Sequence, residues 1–125
     1  LFGHALGNDS SAATVSWMPA VDIHEYAERF ELYVDLPGVD TGKVELTLED
    51  GVLTIAGERQ AETARDGQGL QYRRSERGHG RFYRRFVLPD TADDDNVKAT
   101  GRNGVLTITI PKQARAMPRR ISIDG

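Results

Sequence analysis

Residues able to do acid–base or metal chemistry are few in this sequence and lie far apart. Its histidines, His4, His24 and His79, are not paired with one another at a spacing typical of metal sites. His79 lies between two glycines, and we hypothesise only that it tunes assembly with pH, since histidine titrates near neutrality. The three carboxylates of Asp93-Asp94-Asp95 lack the ligand spacing of a calcium loop, so a solvated turn is favoured. We therefore expect no metal ion.

Motifs for a nucleophile or a bound nucleotide are also missing. The sequence contains no G-x-S-x-G elbow, no S-x-x-K motif and no G-x-x-x-x-G-K-[ST] phosphate loop. It contains no cysteine, which excludes disulfides, zinc thiolate sites and thiol catalysis. We expect no cofactor and no enzyme activity, and therefore a protein that acts by binding.

A basic and aromatic stretch is the sharpest rival to that expectation. Arginines interleaved with aromatic rings can bind nucleic acid through phosphate contacts and base stacking. The members are Arg73, Arg74, Arg77, Arg81, Arg84 and Arg85, with Tyr72, Phe82, Tyr83 and Phe86. On a strand, however, Phe82 and Phe86 point inward and cannot stack on bases. Nucleic-acid binding stays an alternative, and no nucleic-acid partner is expected.

Arg84 differs from the other arginines in its position on the predicted strand, where alternate side chains lie on the same face. It shares its face with Phe82, Phe86 and Leu88. A guanidinium on an apolar face needs a carboxylate or a backbone acceptor, because an unpaired buried charge is very costly. We predict that Arg84 is a structural ion-pair residue.

Alternating apolar and polar residues predict the strands that hold these side chains. Asp50-Gly51 and Asn103-Gly104 are hairpin signals, because both residue types in each pair accept positive φ. Several short strands with closely spaced turns predict an all-β, immunoglobulin-like β-sandwich. The apolar positions of the runs are Phe30, Leu32, Val34 and Leu36, then Val44, Leu46 and Leu48, then Phe82, Phe86 and Leu88, and finally Leu106, Ile108 and Ile110.

The 125 residues suit a single domain with a real hydrophobic core. We predict a flexible N-terminal arm over residues 1–16, the β-domain over 17–111 and a C-terminal extension over 112–125. No apolar run approaches the roughly 20 residues that span a bilayer, so stable membrane insertion is not expected. Residues 1–7 lack the pattern of a signal peptide. Together with the absence of cysteine, this fits a cytoplasmic protein.

Residues 70–77 have no face that can contribute to a core, and they follow a long polar linker over residues 60–69. A strand of this kind can still dock through its backbone on an exposed sheet edge. Exchange of one identical element between subunits gives a symmetric dimer. A surface hairpin on its own subunit is the alternative.

The tail carries Ile121 and Ile123 on one side of an extended segment, with Ser122 opposite. Burying each isoleucine can contribute about 1.5–3 kcal/mol, so one contact is weak once the ordering costs are subtracted. Many such contacts in one assembly would hold strongly while each exchanges readily. A tail folded onto its own domain is the alternative.

Five motifs, in this order, resemble the α-crystallin domain of bacterial small heat shock proteins, the Hsp20 family. They are Trp17-Met18-Pro19-Ala20-Val21-Asp22-Ile23, Asp35-Leu36-Pro37-Gly38-Val39, the R-x-F-x-L-P run at 84–89, the A-x-x-x-N-G-V-L run at 99–106 and the I-x-I motif at 121–123. The resemblance implies an ATP-independent chaperone, a holdase that binds partly unfolded client proteins and prevents their aggregation under stress. A co-chaperone module of the related CS type is the alternative, and the I-x-I motif argues against it.

The resemblance also implies a route of assembly into a homodimer and then higher oligomers. The exchanged strand, with Leu70, Tyr72 and Arg74, would pair with the partner's strand that contains Val21 and Ile23. Ile121 and Ile123 would dock into a groove of a neighbouring subunit. Arg84 falls on the family's β-strand arginine, and the short arm before Trp17 is expected to be truncated relative to the family. By position, the predicted lining of the groove is Val44, Leu46, Leu48, Val97 and Ala99.

Overall fold

The computed structural model describes residues 17–61, 69–114 and 119–125, within which the chain forms two antiparallel β-sheets. The first sheet has the strand order β1-β2-β7-β6 and the second has the order β3-β4-β5. A 3-10 helix over Thr41–Lys43 precedes β3. The all-β sandwich prediction is confirmed. The strands are β1 Val21–Glu25, β2 Arg29–Asp35, β3 Glu45–Glu49, β4 Val52–Arg59, β5 Gly80–Val87, β6 Lys98–Arg102 and β7 Val105–Pro111.

The core lies between the sheets and is built from the inward positions of the alternating runs. On β2 and β7, Leu32 and Val34 pair with Ile108 and Leu106, and all four side chains are buried. The opposite sheet contributes buried side chains from β4 and β5, including Leu53 and Phe86. The predicted inward faces of β2, β5 and β7 are confirmed, because period-two alternation places every second side chain on one side of a sheet.

Two of the predicted hairpin turns set the register of their strands. In the β3–β4 hairpin, Asp50 and Gly51 have φ values of 52° and 76°. In the β6–β7 hairpin, Asn103 and Gly104 have φ values of 54° and 78°. Positive φ at both central residues is the signature of a type I′ turn, which matches the twist of the flanking strands. The Asp-Gly and Asn-Gly predictions are therefore confirmed.

The predicted arm at residues 1–16, including His4, and most of the polar linker lie outside the described residues. No helix in the described ranges is long and apolar enough to cross a membrane.

Candidate docking surfaces

An open groove lies between β3 and β6, which are edge strands of different sheets. It contains a cavity of about 190 Å³. Three predicted lining residues, Val44, Leu46 and Ala99, lie in the wall of this cavity. The two others, Leu48 and Val97, are half-buried against the core and are not part of that wall. The wall also includes Thr41, Gly42, Gly101 and Leu106, which were not predicted.

The groove is open because its apolar side chains face inward from strands that have no further neighbour. Leu46 pairs with the buried Ile55, yet Leu46 itself stays half-exposed at the edge of its sheet. On β6 the inward positions hold small residues, Ala99 and Gly101, which leave the groove floor uncovered. An added Cβ at Gly101 would lie 2.6 Å from Oγ1 of Thr41, so glycine permits this close approach. A glycine inside a strand pattern was the sequence signal for it.

The tail side chains predicted to fill such a groove are exposed in the single chain. Ile121 is 79% exposed and Ile123 is 92% exposed. The described tail residues, 119–125, form no strand. These isoleucines are therefore not packed against their own domain and are available to another surface.

A second candidate surface is the edge formed by β1. This strand pairs with β2 on one side and ends the four-stranded sheet on the other. Val21 and Ile23 are half-buried, opposite Val34 and Leu32 of β2. The outer backbone of β1 can therefore accept one more strand.

The segment predicted to be exchanged onto that edge forms no strand in the single chain. Residues 69–79 are exposed along their whole length, with Leu70 at 58% and Tyr72 at 77%. Arg74 is ion-paired with Glu76 of the same segment. A role of Leu70, Tyr72 and Arg74 in dimer formation stays a prediction.

Arg59 anchors the base of this segment, a function that the sequence interpretation missed. Its side chain is 8% exposed, and its Nη1 donates to the carbonyl of Pro37 at 3.0 Å. The other terminal nitrogen donates to the carbonyl of Gly78, and the guanidinium carbon lies 4.1 Å from the ring centroid of Trp17. Strict alternation along β4 from Leu53 places Arg59 on the inward face, and that was the available signal.

Trp17 joins the same anchor from the start of the domain. Its Nε1 donates to the carbonyl of Gly80 at 2.9 Å, and its ring meets that of Phe82 edge-on at 5.4 Å. A Cβ at Gly78 would lie 2.9 Å from the Cβ of Trp17, so this approach requires glycine. The chain at Gly78–Gly80 is thus anchored to the domain, while residues 70–77 before it are exposed.

Arg84 lies on the inward face of β5, as alternation predicts, and is half-buried. Its Nη1 donates to the carbonyl of Pro19 at 2.8 Å, and its guanidinium carbon lies 5.0 Å from the ring centroid of Phe86. It therefore uses a backbone acceptor that links β5 to the segment before β1. Its function as an ion-pair residue stays a prediction.

A polar cluster covers the outer face of the sheet beside the β1 edge. Glu31 accepts hydrogen bonds from the Tyr33 hydroxyl and from Nε of Arg29, the latter at 2.6 Å. These bonds lower the pKa of Glu31 and, from the other side, raise the pKa of Tyr33 to about 12. His24 is exposed, with its ring 5.1 Å from that of Tyr33. The cluster fixes β2 side chains next to the strand that would receive a partner.

The carboxylates of Asp93, Asp94 and Asp95 lie within 4.8 Å of one another. Asp93 accepts from the backbone of Asp95 at 3.0 Å and from the Asn96 amide at 2.8 Å, which is the bonding of a turn. His79 is exposed on the segment before β5. Phe82 and Phe86 are buried and cannot stack on bases, as expected.

Comparison with known proteins gives consistent matches. The Hsp20/alpha crystallin family matches residues 22–124. Spore protein SP21 of Stigmatella aurantiaca is 37% identical over 108 residues, covering 86% of this chain and 63% of that protein. The 17.0 kDa class II heat shock protein of Zea mays is 44% identical over 100 residues, covering 79% of this chain and 63% of that protein. The chain thus spans less than two thirds of the length of these two relatives.

Among solved structures, a small heat-shock protein from Xylella fastidiosa superimposes with a TM-score of 0.72 at 46% sequence identity. The match covers 88% of this chain and 99% of that chain. The likeness in sequence and the likeness in fold therefore agree with each other.

Proposed function

The chain belongs to the Hsp20/alpha crystallin family, and from that premise we propose that it is an ATP-independent chaperone of the holdase type. The family is one of small heat shock proteins, which are chaperones and not enzymes. In this proposal the protein binds partly unfolded clients under heat or other stress and keeps them from aggregating. A cytoplasmic location is part of the proposal and fits a chain without cysteine.

The observation that carries the proposal is apolar surface left uncovered in the single chain. The groove between β3 and β6 is open, and Ile121 and Ile123 are almost fully exposed. A contact of two isoleucines is weak and readily reversed, whereas many such contacts in one assembly are strong together. A protein built this way can cover and expose apolar surface reversibly without any covalent reaction. Passive holding of clients requires such exchangeable apolar surface.

We propose that the protein assembles from strand-exchanged dimers, with residues 70–76 of one subunit added to β1 of its partner. The uncovered edge of β1 and the exposed segment support this pairing. The small heat-shock protein from Xylella fastidiosa is itself described as having a distinct high order structure.

In the assembled protein, residues 17–111 would be the α-crystallin domain, residues 1–16 an arm and residues 112–125 the extension. Docking of Ile121 and Ile123 into the groove of a neighbouring subunit would join dimers into higher oligomers. The groove wall at Val44, Leu46 and Ala99 supports this proposal.

Aggregation of a heat-labile client, followed by light scattering without ATP, tests the proposed activity. We expect roughly stoichiometric amounts of the protein to suppress the scattering, because client segments bind the exposed apolar surface. An equal mass of an unrelated protein of similar size is the control. Scattering as strong as in that control would contradict the holdase proposal.

A further inference from the structure

The groove between β3 and β6 has two ends that can be assigned from the described contacts. At one end Thr41, just before β3, meets Gly101, near the end of β6. Val44, Leu46 and Ala99 lie further along in the cavity wall. The two strands therefore run in opposite directions past each other, and they bring Leu48 and Val97 to the other end.

That other end is acidic. The nitrogen of Leu88 donates to the carbonyl of Gly51 at 2.7 Å, which holds the β3–β4 hairpin beside the chain that leads to β6. The nitrogen of Asp93 donates to the carbonyl of Pro111 at 2.7 Å, which holds the turn before β6 at the same end of the sandwich. Acidic residues outnumber basic ones there, because the described chain places Glu49, Asp50, Asp93, Asp94 and Asp95 at this end with Lys98 beside them.

The end at Thr41 is electrically balanced. The charged residues next to the groove there are of both signs in equal number, namely Asp40, Glu45, Lys43 and Arg102. Lys112, which lies near the acidic end, is paired with Glu25 at 2.7 Å and does not offset the carboxylates there. Along its length the groove therefore passes from a strongly negative end to a neutral one.

The tail has a complementary asymmetry of charge. Arg119 and Arg120 precede Ile121, and Asp124 follows Ile123. In an extended chain each residue advances about 3.3 Å, so two isoleucines seated in the cavity carry the arginines about 3–7 Å beyond it. That reach brings the arginines level with the next groove positions, Leu48 and Glu49, if the tail enters from the acidic end.

We propose that the tail of a neighbouring subunit docks in this groove with a single polarity. Arg119 and Arg120 lie at the acidic end and Asp124 lies at the neutral end, so that the tail runs parallel to β6 and antiparallel to β3. This inference rests on the proposed docking of the I-x-I motif and adds its direction. The isoleucines supply the attraction, which has no direction of its own because both are the same residue type. The charges supply the choice of direction.

Exposed ion pairs are strong enough to favour one direction of the docked tail and weak enough to let the tail dissociate. Each contributes about 1.4- to 5-fold to an equilibrium constant, and salt screens it. A few of them acting together favour one direction of the tail clearly, while each docked tail still dissociates readily. The polarity is therefore expected to weaken as the salt concentration rises.

Disulfide trapping in the full chain tests the polarity, because the sequence contains no cysteine of its own. One variant combines Gly125→Cys with Thr41→Cys at the neutral end, and its matched control combines Gly125→Cys with Asn96→Cys at the acidic end. All three substitutions leave every side-chain charge unchanged. Under mild oxidation we expect the first variant to form covalent dimers about tenfold faster, since a disulfide requires close Cβ atoms.

The possible outcomes separate the two proposals. Faster trapping in the Asn96→Cys variant, or equal rates in both, would overturn the polarity while leaving the docking in place. Absence of trapping in both variants would sink the docking proposal and the polarity with it.

Charge removal tests the cause of the polarity. In the Gly125→Cys variants, Arg119→Gln with Arg120→Gln should bring the two trapping rates to within about twofold of each other. The control, Lys43→Gln with Arg102→Gln, removes the same number of positive charges at the neutral end. In this control the arginines of the tail should still prefer the acidic end, so the Thr41→Cys variant should still be trapped faster than the Asn96→Cys variant. An unchanged rate ratio after the arginine substitutions would show that charge does not set the direction.

Discussion

At the scale of single residues, Arg59 shows how this domain uses a buried charge. Within the described part of the chain it is the one charged residue among the buried residues. It is tolerated there because the guanidinium donates to the carbonyls of Pro37 and Gly78 and stacks on Trp17. Its contacts join the loop after β2 to the chain before β5, so one side chain fixes where the exposed segment leaves the domain.

Arg59→Met should lower the free energy of unfolding by about 2–4 kcal/mol, because the side chain loses its hydrogen bonds to the carbonyls of Pro37 and Gly78 and its contact with the Trp17 ring. Urea denaturation at a fixed protein concentration, followed by the fluorescence of the single tryptophan, measures the change. The exposed Arg85→Met is the control and should stay within about 0.5 kcal/mol of the parent. Equal stability of the Arg59 variant would show that the anchor is not structural.

The pair Glu31 and Tyr33 makes a prediction about pH. The hydrogen bond to Glu31 raises the pKa of Tyr33 from 10.0 to about 12, so this bond stabilises the fold below pH 10 and is lost as pH rises through the higher value. Glu31→Gln should move the pKa of Tyr33 back toward 10.0. Phenolate absorbance during an alkaline titration measures it, with Tyr33→Phe subtracted to isolate this tyrosine. A tyrosine whose pKa does not respond to Glu31→Gln would contradict the described bond.

The same hydrogen bond also makes stability depend on pH in acid, where stability falls as the pH decreases. Because the pKa of Glu31 in the folded chain lies below its ordinary value of 4.5, its contribution to stability is fully present above that pH. It is lost as the pH falls through the lowered value.

At the scale of elements, the edge strands carry the function proposed for this protein. β1, β3 and β6 are three of the four strands that end a sheet, and the outer backbone of each pairs with no strand of the described chain. Exposed edges are a liability for aggregation unless they are covered or twisted away. Here the proposed covers are other copies of the same chain, so the edges become sites of assembly.

Ile121→Ala with Ile123→Ala should reduce large oligomers toward dimers, because the tail loses about 3–6 kcal/mol of burial before ordering costs. Light scattering coupled to size exclusion measures the mass. Ser122→Ala is the matched control, since its side chain lies opposite the isoleucines. An unchanged mass of the double variant would refute a docking function for the tail.

At the scale of the whole molecule, a packed β-sandwich carries two exposed segments. The anchor at Gly78–Gly80 and the short turns keep the domain fixed, while residues 70–77 and 119–125 are exposed. Attachments of this kind raise the local concentration of each docking segment without adding contacts to the domain. Stability and assembly can therefore change separately.

Deletion of residues 70–76 should give monomers, because the β1 edge then loses the strand proposed to pair with it. Mass measured by light scattering distinguishes monomers from dimers. The tail variant with both isoleucines replaced is the control, and it should remain dimeric because its exchanged strand is intact. Dimers that persist after the deletion would contradict strand exchange.

The strands and turns could be predicted from the sequence because their signals are local. Alternation along β2, β5 and β7 depends only on neighbouring residues, and Asp50-Gly51 and Asn103-Gly104 accept the positive φ that their turns need. Three of the residues predicted to line the groove, Val44, Leu46 and Ala99, lie in the cavity wall. Strand exchange and the ion pair of Arg84 stay predictions, since both concern partners that a single chain's pattern cannot identify.

What only the tertiary structure decided is which of these elements meet. Thr41, in the 3-10 helix before β3, meets Gly101 of β6 in the other sheet, and the carboxylates at the acidic end of the groove also come together from separate parts of the chain. Likewise, Arg59 meets Gly78 and Trp17 across long stretches of chain. Alternation assigns a side chain to one of two faces, but only the packing of two sheets determines what lies opposite that face and which edge stays uncovered.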